Sequence, residues 1–158
     1  MPRTKASSQY ERELLANIRT HGWQCTSVGA GEGQPCFSYS IGLFQSFGYP
    51  ELLIIGLPSR FAHEMLTIAA NAARPGNPLN VQEPTDALLE GFSCAFVKVP
   101  ESAYDEYVLS ASWYYEGNAF PLLQIVWSSK EGRFPWHPRA GKKFREAQPV
   151  VGSRNGAT

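Results

Sequence analysis

The chain is poor in cysteine, and its three, Cys25, Cys36 and Cys94, stand far apart. There is no C-x-x-C pair and no even-numbered framework, so neither a disulfide scaffold nor a cysteine-based zinc site is expected. Charge of one sign is not in excess either, because 14 Lys and Arg balance 14 Asp and Glu. A dedicated nucleic-acid binder normally carries a basic surplus, so nucleic acid is not an expected partner. The N-terminal stretch MPRTKASSQYERELLANIRT has no apolar signal core. The longest apolar run, Leu52 to Leu57, is far too short to span a bilayer. Reduced thiols without a signal or a span lead to the expectation of a soluble, cytoplasmic protein.

Complete catalytic motifs are missing too. His63-Glu64-Met65-Leu66-Thr67 begins like a zinc-protease helix, but Thr67 stands where the second histidine is needed. Gly29, Gly31 and Gly33 fail the dinucleotide spacing, since Gln34 occupies the last position and a strand follows instead of a helix. Ser59 lies at a strand-to-helix turn without the flanking glycines of a hydrolase elbow, and reads as a helix N-cap. Together with Arg60 it forms a weak candidate for holding an anion at that helix start. Cys36 and Cys94 sit in apolar, strand-like surroundings and read as small core residues. No metal site and no cofactor is expected.

What is present is hydrophobic pattern and aromatic mass. A hydrophobic content of 43% against 18% charged residues places the chain among globular proteins. Tyr10, Leu14 and Ile18 recur at helical spacing and end at His21-Gly22. Trp23 to Val28 and Phe37-Ser38-Tyr39-Ser40-Ile41 read as strands, the second with large residues alternating with serines. Leu52 to Ile55 has no polar face, as expected of a central strand covered on both sides. Between these strands, Phe44, Phe47, Tyr49 and Pro50 read as an aromatic loop. A helix follows from Ser59, with Phe61, Met65, Ile68, Ala69 and Ala72 as its stripe. Residues 75–91 read as an irregular excursion, Phe92 to Val99 as a strand, and Ser102 onward as a helix bearing Tyr104, Tyr107, Val108, Ala111 and Tyr115. Leu122 to Trp127 is the last strand.

The expected fold class is therefore α+β: a single domain with a mixed sheet of about five strands and two to three packed helices. Residues 1–7 read as a disordered leader, 8–138 as the globular domain, and 139–158 as a basic, mostly flexible tail.

The motifs also have a recognisable order. Gly22-Trp23 is followed by F-S-Y-S-I-G-L, G-Y-P-E-L-L-I-I-G-L, Tyr114-Tyr115-Glu116-Gly117, P-L-L-Q-I-V-W and G-R-F-P-W. In this order the chain resembles the bacterial domain-of-unknown-function family numbered 4262, from about Glu13 to Trp136. The resemblance maps the family's motif positions onto Tyr39, Ile41, Gly42, Pro50, Glu51, Gly56, Tyr115, Gly117, Gln124, Trp127, Pro135 and Trp136. It implies one intracellular domain and supplies no reaction. The family often has an acidic residue after its last Trp, where this chain has His137.

Rings and glycines at element ends suit the rim of a ligand cleft. The expectation is thus a non-catalytic domain binding a small molecule or a protein partner, a second copy of the chain included. Its ligand-binding residues would be Tyr39, Ser40, Gly42, Tyr114, Tyr115, Gln124, Trp127, Trp136 and His137. One alternative is a small enzyme using Glu51, His63 and His137 as acid-base groups, with Tyr39 or Tyr115 donating hydrogen bonds. Another is a partner-neutralising protein that presents an exposed aromatic patch.

Overall fold

Four consecutive large apolar residues need cover on both faces of a sheet, and β3 (Glu51–Ile55) obtains it. Leu53 and Ile55 enter one core cluster, and Leu52 and Ile54 enter another on the opposite face. Each fully buried aliphatic side chain of this kind contributes about 1.5–3 kcal/mol. The computed structural model describes residues 2–152.

The remaining strands are β1 (Gln24–Val28), β2 (Phe37–Ile41), β4 (Thr85–Leu89), β5 (Phe92–Lys98) and β6 (Leu122–Trp127). They lie in the order β1-β2-β3-β6-β5-β4. All neighbours are antiparallel except β3 and β6, which run parallel with Leu52 opposite Leu123 and Leu53 opposite Gln124. The α+β single-domain architecture expected from the sequence is the one found, with six strands where about five were expected. The extra strand is β4, hidden inside the supposed irregular excursion. It is an edge strand with a break in its pairing and exposed residues at Asp86 and Ala87, so it has no clean alternation.

Helix α1 (Gln9–His21) starts where Ser8 Oγ accepts from Glu11 N and stops where Gly22 turns left-handed, with φ 88°. The supposed aromatic loop contains a short helix, α2 (Leu43–Phe47). Helix α3 (Ser59–Ala73) begins at Ser59, but Pro58 takes the capping position and no side chain caps it, so Ser59 is not the cap. Its buried face is Ala62, Met65, Leu66, Ala69, Ala70 and Ala73, while Phe61 and Ile68 remain exposed. The small alanines let the helix lie close on the sheet, and two larger residues of the expected stripe turn outward. The helix expected from Ser102 is divided into a 3-10 turn, α4 (Tyr104–Tyr107) and α5 (Leu109–Tyr115), with the break at Val108. Helices α1, α4 and α5 cover one face of the sheet and α3 covers the other.

The last helix, α6 (Lys142–Ala147), falls in the segment read as a flexible tail. As far as residue 152 that segment lies against the sheet, with Gln148 fully buried. Residues 153–158 of that reading, and Met1 of the leader, lie outside the described residues. The leader is tied down at Arg3, whose backbone N donates to the Tyr114 carbonyl (2.8 Å) and whose side chain donates to the Trp113 carbonyl (2.6 Å). No helix among the described residues is long and apolar enough to cross a membrane.

Candidate functional site

The Tyr39–Gly56 region is organised around one carboxylate. Glu51 opens β3 with its side chain fully buried. Ser40 Oγ (2.7 Å) and Leu43 N (3.2 Å) donate to its Oε1. Gly42 N (2.9 Å), Phe44 N (3.2 Å) and the Tyr115 hydroxyl donate to its Oε2. Burial pushes the Glu51 carboxyl above its usual range, and the bonds from Tyr115, Ser40, Phe44 and Gly42 act against that rise. The Tyr115 phenol is raised in turn, by burial first and by the neighbouring Glu51 charge second. The cage needs glycine at 42: φ is +115°, and a Cβ there would lie 2.7 Å from the Gly22 carbonyl oxygen. Ser40 Oγ also accepts from Leu52 N (2.9 Å), and Tyr115 Oη accepts from Gln45 N (3.2 Å). Both Glu51 oxygens are therefore occupied by protein donors, so this carboxylate joins β2, β3, α2 and α5 and is not aimed at a ligand.

The residues expected to rim one cleft are distributed over separate places. Ser40, Gly42 and Tyr115 gather around Glu51, while Tyr39 and Tyr114 pack in the cluster on the α5 face, where Tyr39 Oη accepts from Ser110 N (3.2 Å). Gln124, level with Leu53, lies on that face but binds the chain's own residues 149–152. Trp127 is three residues further along the strand and packs with the opposite cluster, its indole N–H donating to the Ile55 carbonyl (3.0 Å). The sheet thus separates Tyr39 from Trp127. Trp136 stacks on Phe134 at 5.0 Å, and His137 Nδ1 accepts from Arg139 N (2.9 Å). Arg60 lies over the Phe61 ring at 4.7 Å. Ser59 is exposed beside it.

A different set of polar residues does converge. Between α1, β1 and α3 lies an open cleft of about 460 Å3, lined by Asn17, His21, Trp23, Cys25, His63, Thr67, Asn71 and Arg74, with Gln24 at its edge. The Trp23 and His63 rings stack at 6.2 Å with planes 24° apart. Asn17 Nδ2 donates to Gln24 Oε1 (2.8 Å), which fixes the end of α1 to β1. The Arg74 guanidinium donates to the His21 carbonyl and lies 5.0 Å from the Phe47 ring, so it is held at the mouth. The lining contains one arginine and two imidazoles and no carboxylate. Burial pushes the Cys25 thiol above the ordinary thiol range, which keeps it neutral. Among the described residues, no group of three or more His, Cys, Asp or Glu side chains is placed to hold a metal ion.

Sequence reasoning grouped His63 with Glu51 and His137 as acid-base groups and gave no binding role to Asn17, Trp23, Cys25, Thr67, Asn71 or Arg74. A signal was present: His63, Thr67, Asn71 and Arg74 follow steps of four, four and three, a polar stripe along one side of α3. Such a stripe reads as a solvated face until β1 and α1 are placed beside it.

Residues 17–141 match the family described as Domain of unknown function (DUF4262), and the chain belongs to that family. No curated protein and no solved structure matched the chain.

Proposed function

We propose that this DUF4262 domain is a cytoplasmic, non-catalytic binding protein for a small, planar, anionic molecule, and that the α1–β1–α3 cleft is where it binds. The observation that carries this reading is the lining itself. Arg74, His21 and His63 line the cleft without any opposing carboxylate, and the exposed His63 imidazole stands backed by the buried Trp23 ring. An acidic group would sit toward the Arg74 side, with Asn71 and Thr67 as hydrogen-bonding partners. A planar ring would lie along the exposed His63 imidazole.

Two features favour binding over chemistry. Cys25 is held as a neutral thiol, which is a poor nucleophile. Glu51, the carboxylate of the enzyme alternative, has both oxygens occupied by internal donors. The free cysteines agree with a reducing compartment.

The test is titration of isotope-labelled protein with small aromatic carboxylates and aromatic phosphates, followed by amide NMR. The expected result is saturable shifts at His63, Thr67, Asn71 and Arg74 that His63→Ala or Asn71→Ala weakens at least tenfold. Both side chains are exposed, so neither change threatens the fold. An absence of shifts, or shifts confined to another surface, overturns the reading.

A further inference from the structure

Helix α1 carries a cleft on each of two sides. With about 100° of turn per residue, Asn17 and His21 line the α1–β1–α3 cleft, and Leu15, Ile18 and Arg19 stand on another side. There they form one wall of a separate cleft of about 470 Å3. Its other walls are residues 2–4 of the N-terminal segment, Gln45 of α2 and Tyr114 of α5. That volume falls in the range of small-molecule sites. The N-terminal wall is fixed to α5: Arg3 N donates to the Tyr114 carbonyl (2.8 Å), Arg3 Nε donates to the Trp113 carbonyl (2.6 Å), and the guanidinium lies 5.2 Å from the Trp113 ring centre.

The floor is apolar, with one polar atom set in it. Leu15, Ile18 and Tyr114 are all buried. Tyr114 is only 5% exposed, yet its hydroxyl makes no hydrogen bond with any described residue, unlike the hydroxyls of Tyr39, Tyr49, Tyr104 and Tyr115. A buried phenol ordinarily finds a partner. No side-chain nitrogen or oxygen among the described residues is sealed in the interior without one, so the Tyr114 hydroxyl opens onto the cleft that its side chain lines. Burial first, and the nearby Glu51 charge second, push this phenol above its usual range, which keeps the O–H as a donor. The two cations of the lining are unequal. Arg3 faces Glu116 at 3.8 Å and also acts on the Glu11 carboxylate, so its charge is already answered. Arg19 is exposed and makes no ion pair or side-chain hydrogen bond among the described residues, and no carboxylate lines the cleft.

We propose that this cleft is a binding site for a small aliphatic carboxylic acid in its ionised form. The carboxylate accepts from the Arg19 guanidinium and from the Tyr114 hydroxyl, and the alkyl tail lies on Leu15 and Ile18. One uncommitted guanidinium answers one negative charge, so a carboxylate suits the cleft better than a doubly charged phosphate. The site shares no residue with the cleft on the other side of α1 and stands independently of it.

The experiment titrates octanoate into the full-length chain by isothermal calorimetry, with octan-1-ol and octyl phosphate as comparisons. The expected result is saturable binding of octanoate, at least about tenfold tighter than either comparison, the size of one hydrogen bond to a charged group. Arg19→Ala removes an exposed, unpaired side chain and so leaves the fold alone; it should weaken octanoate at least about tenfold. Tyr114→Phe deletes only the hydroxyl and should weaken it by a similar factor. His63→Ala, a variant of the other cleft, should leave octanoate binding unchanged, which separates failure here from failure of the planar-anion reading. No saturable binding of octanoate, equal or tighter binding of octanol or octyl phosphate, full affinity in Arg19→Ala, or a loss in His63→Ala overturns the proposal.

Discussion

Replacing Glu51 by glutamine changes one atom of a buried side chain and tests the cage directly. Two donors converge on Oε1 and three on Oε2. An amide offers one oxygen, so its NH2 must face one of the two sets. Directed at the Oε1 set, it opposes Leu43 N, which cannot reverse, and Ser40 Oγ, which already accepts from Leu52 N. Directed at the Oε2 set, it opposes Gly42 N and Phe44 N, and only Tyr115 can rotate to accept. The milder orientation still strands one buried backbone N–H, at about 1–3 kcal/mol, and turns the remaining bonds from charged to neutral, about 1 kcal/mol weaker each. With three bonds left on the remaining oxygen, Glu51→Gln should therefore cost about 4–6 kcal/mol, a large share of the roughly 5–15 kcal/mol that holds a domain together. Urea unfolding followed by far-ultraviolet circular dichroism reads this as a lower midpoint at unchanged slope. Adding Tyr115→Phe to Glu51→Gln should cost less than Tyr115→Phe alone, because the two side chains share one bond. Glu51→Gln within about 0.5 kcal/mol of the wild type, the range of an ordinary surface substitution, would refute the cage as an organising element.

Two further outcomes follow from the geometry. Cys25 and Cys94 are both raised by burial, Cys94 to about 12, so thiolate forms only on the alkaline side. Iodoacetamide alkylation of Cys25, followed by mass spectrometry, should accelerate only at a higher pH than that of an ordinary exposed thiol, with Cys94 inert until the protein unfolds; alkylation of Cys25 at a lower pH than an ordinary thiol would restore it as a nucleophile. Glu116 ends α5 in the left-handed region at φ 56°. Glu116→Gly should raise stability by about 0.5–1 kcal/mol, because its ion pair with Arg3 is half-exposed and 3.8 Å long and contributes little; a lower melting temperature for this variant would contradict that balance.

Much of the scaffold could be read from residue order. β3 and β6 announce themselves as apolar runs, and α1 is bounded by Ser8 and Gly22. Gln124 is visible as a polar interruption, although the segment that satisfies it lies 25 residues further on. What could not be read depends on register and on contacts distant in sequence. α2 forms around a carboxylate supplied by the next strand, so its five residues carry no helical pattern of their own. Tyr39 and Trp127 project to opposite faces because Leu53 pairs with Gln124, and that pairing is not encoded in either strand alone. The polar cleft stayed hidden for a similar reason: its lining comes from three elements whose sides become walls only after packing.

The parallel pair β3–β6 also divides the sheet in two. On one side, β1, β2 and β3 follow one another along the chain with short connections; on the other, β4 and β5 form a tight pair and β6 follows after residues 99–121, which carry α4 and α5. Each half can close from neighbouring residues, whereas the seam joins Glu51 to Leu122, about 70 residues apart. The length-dependent entropy of that closure is about 4 kcal/mol, against about 2 for a loop of roughly nine residues. The caged carboxylate stands at the first residue of the seam, already bound to α2 and β2 from its own half and reaching α5 from the other. It therefore acts as a latch, tying the two halves of the sheet together at the residue where their seam begins.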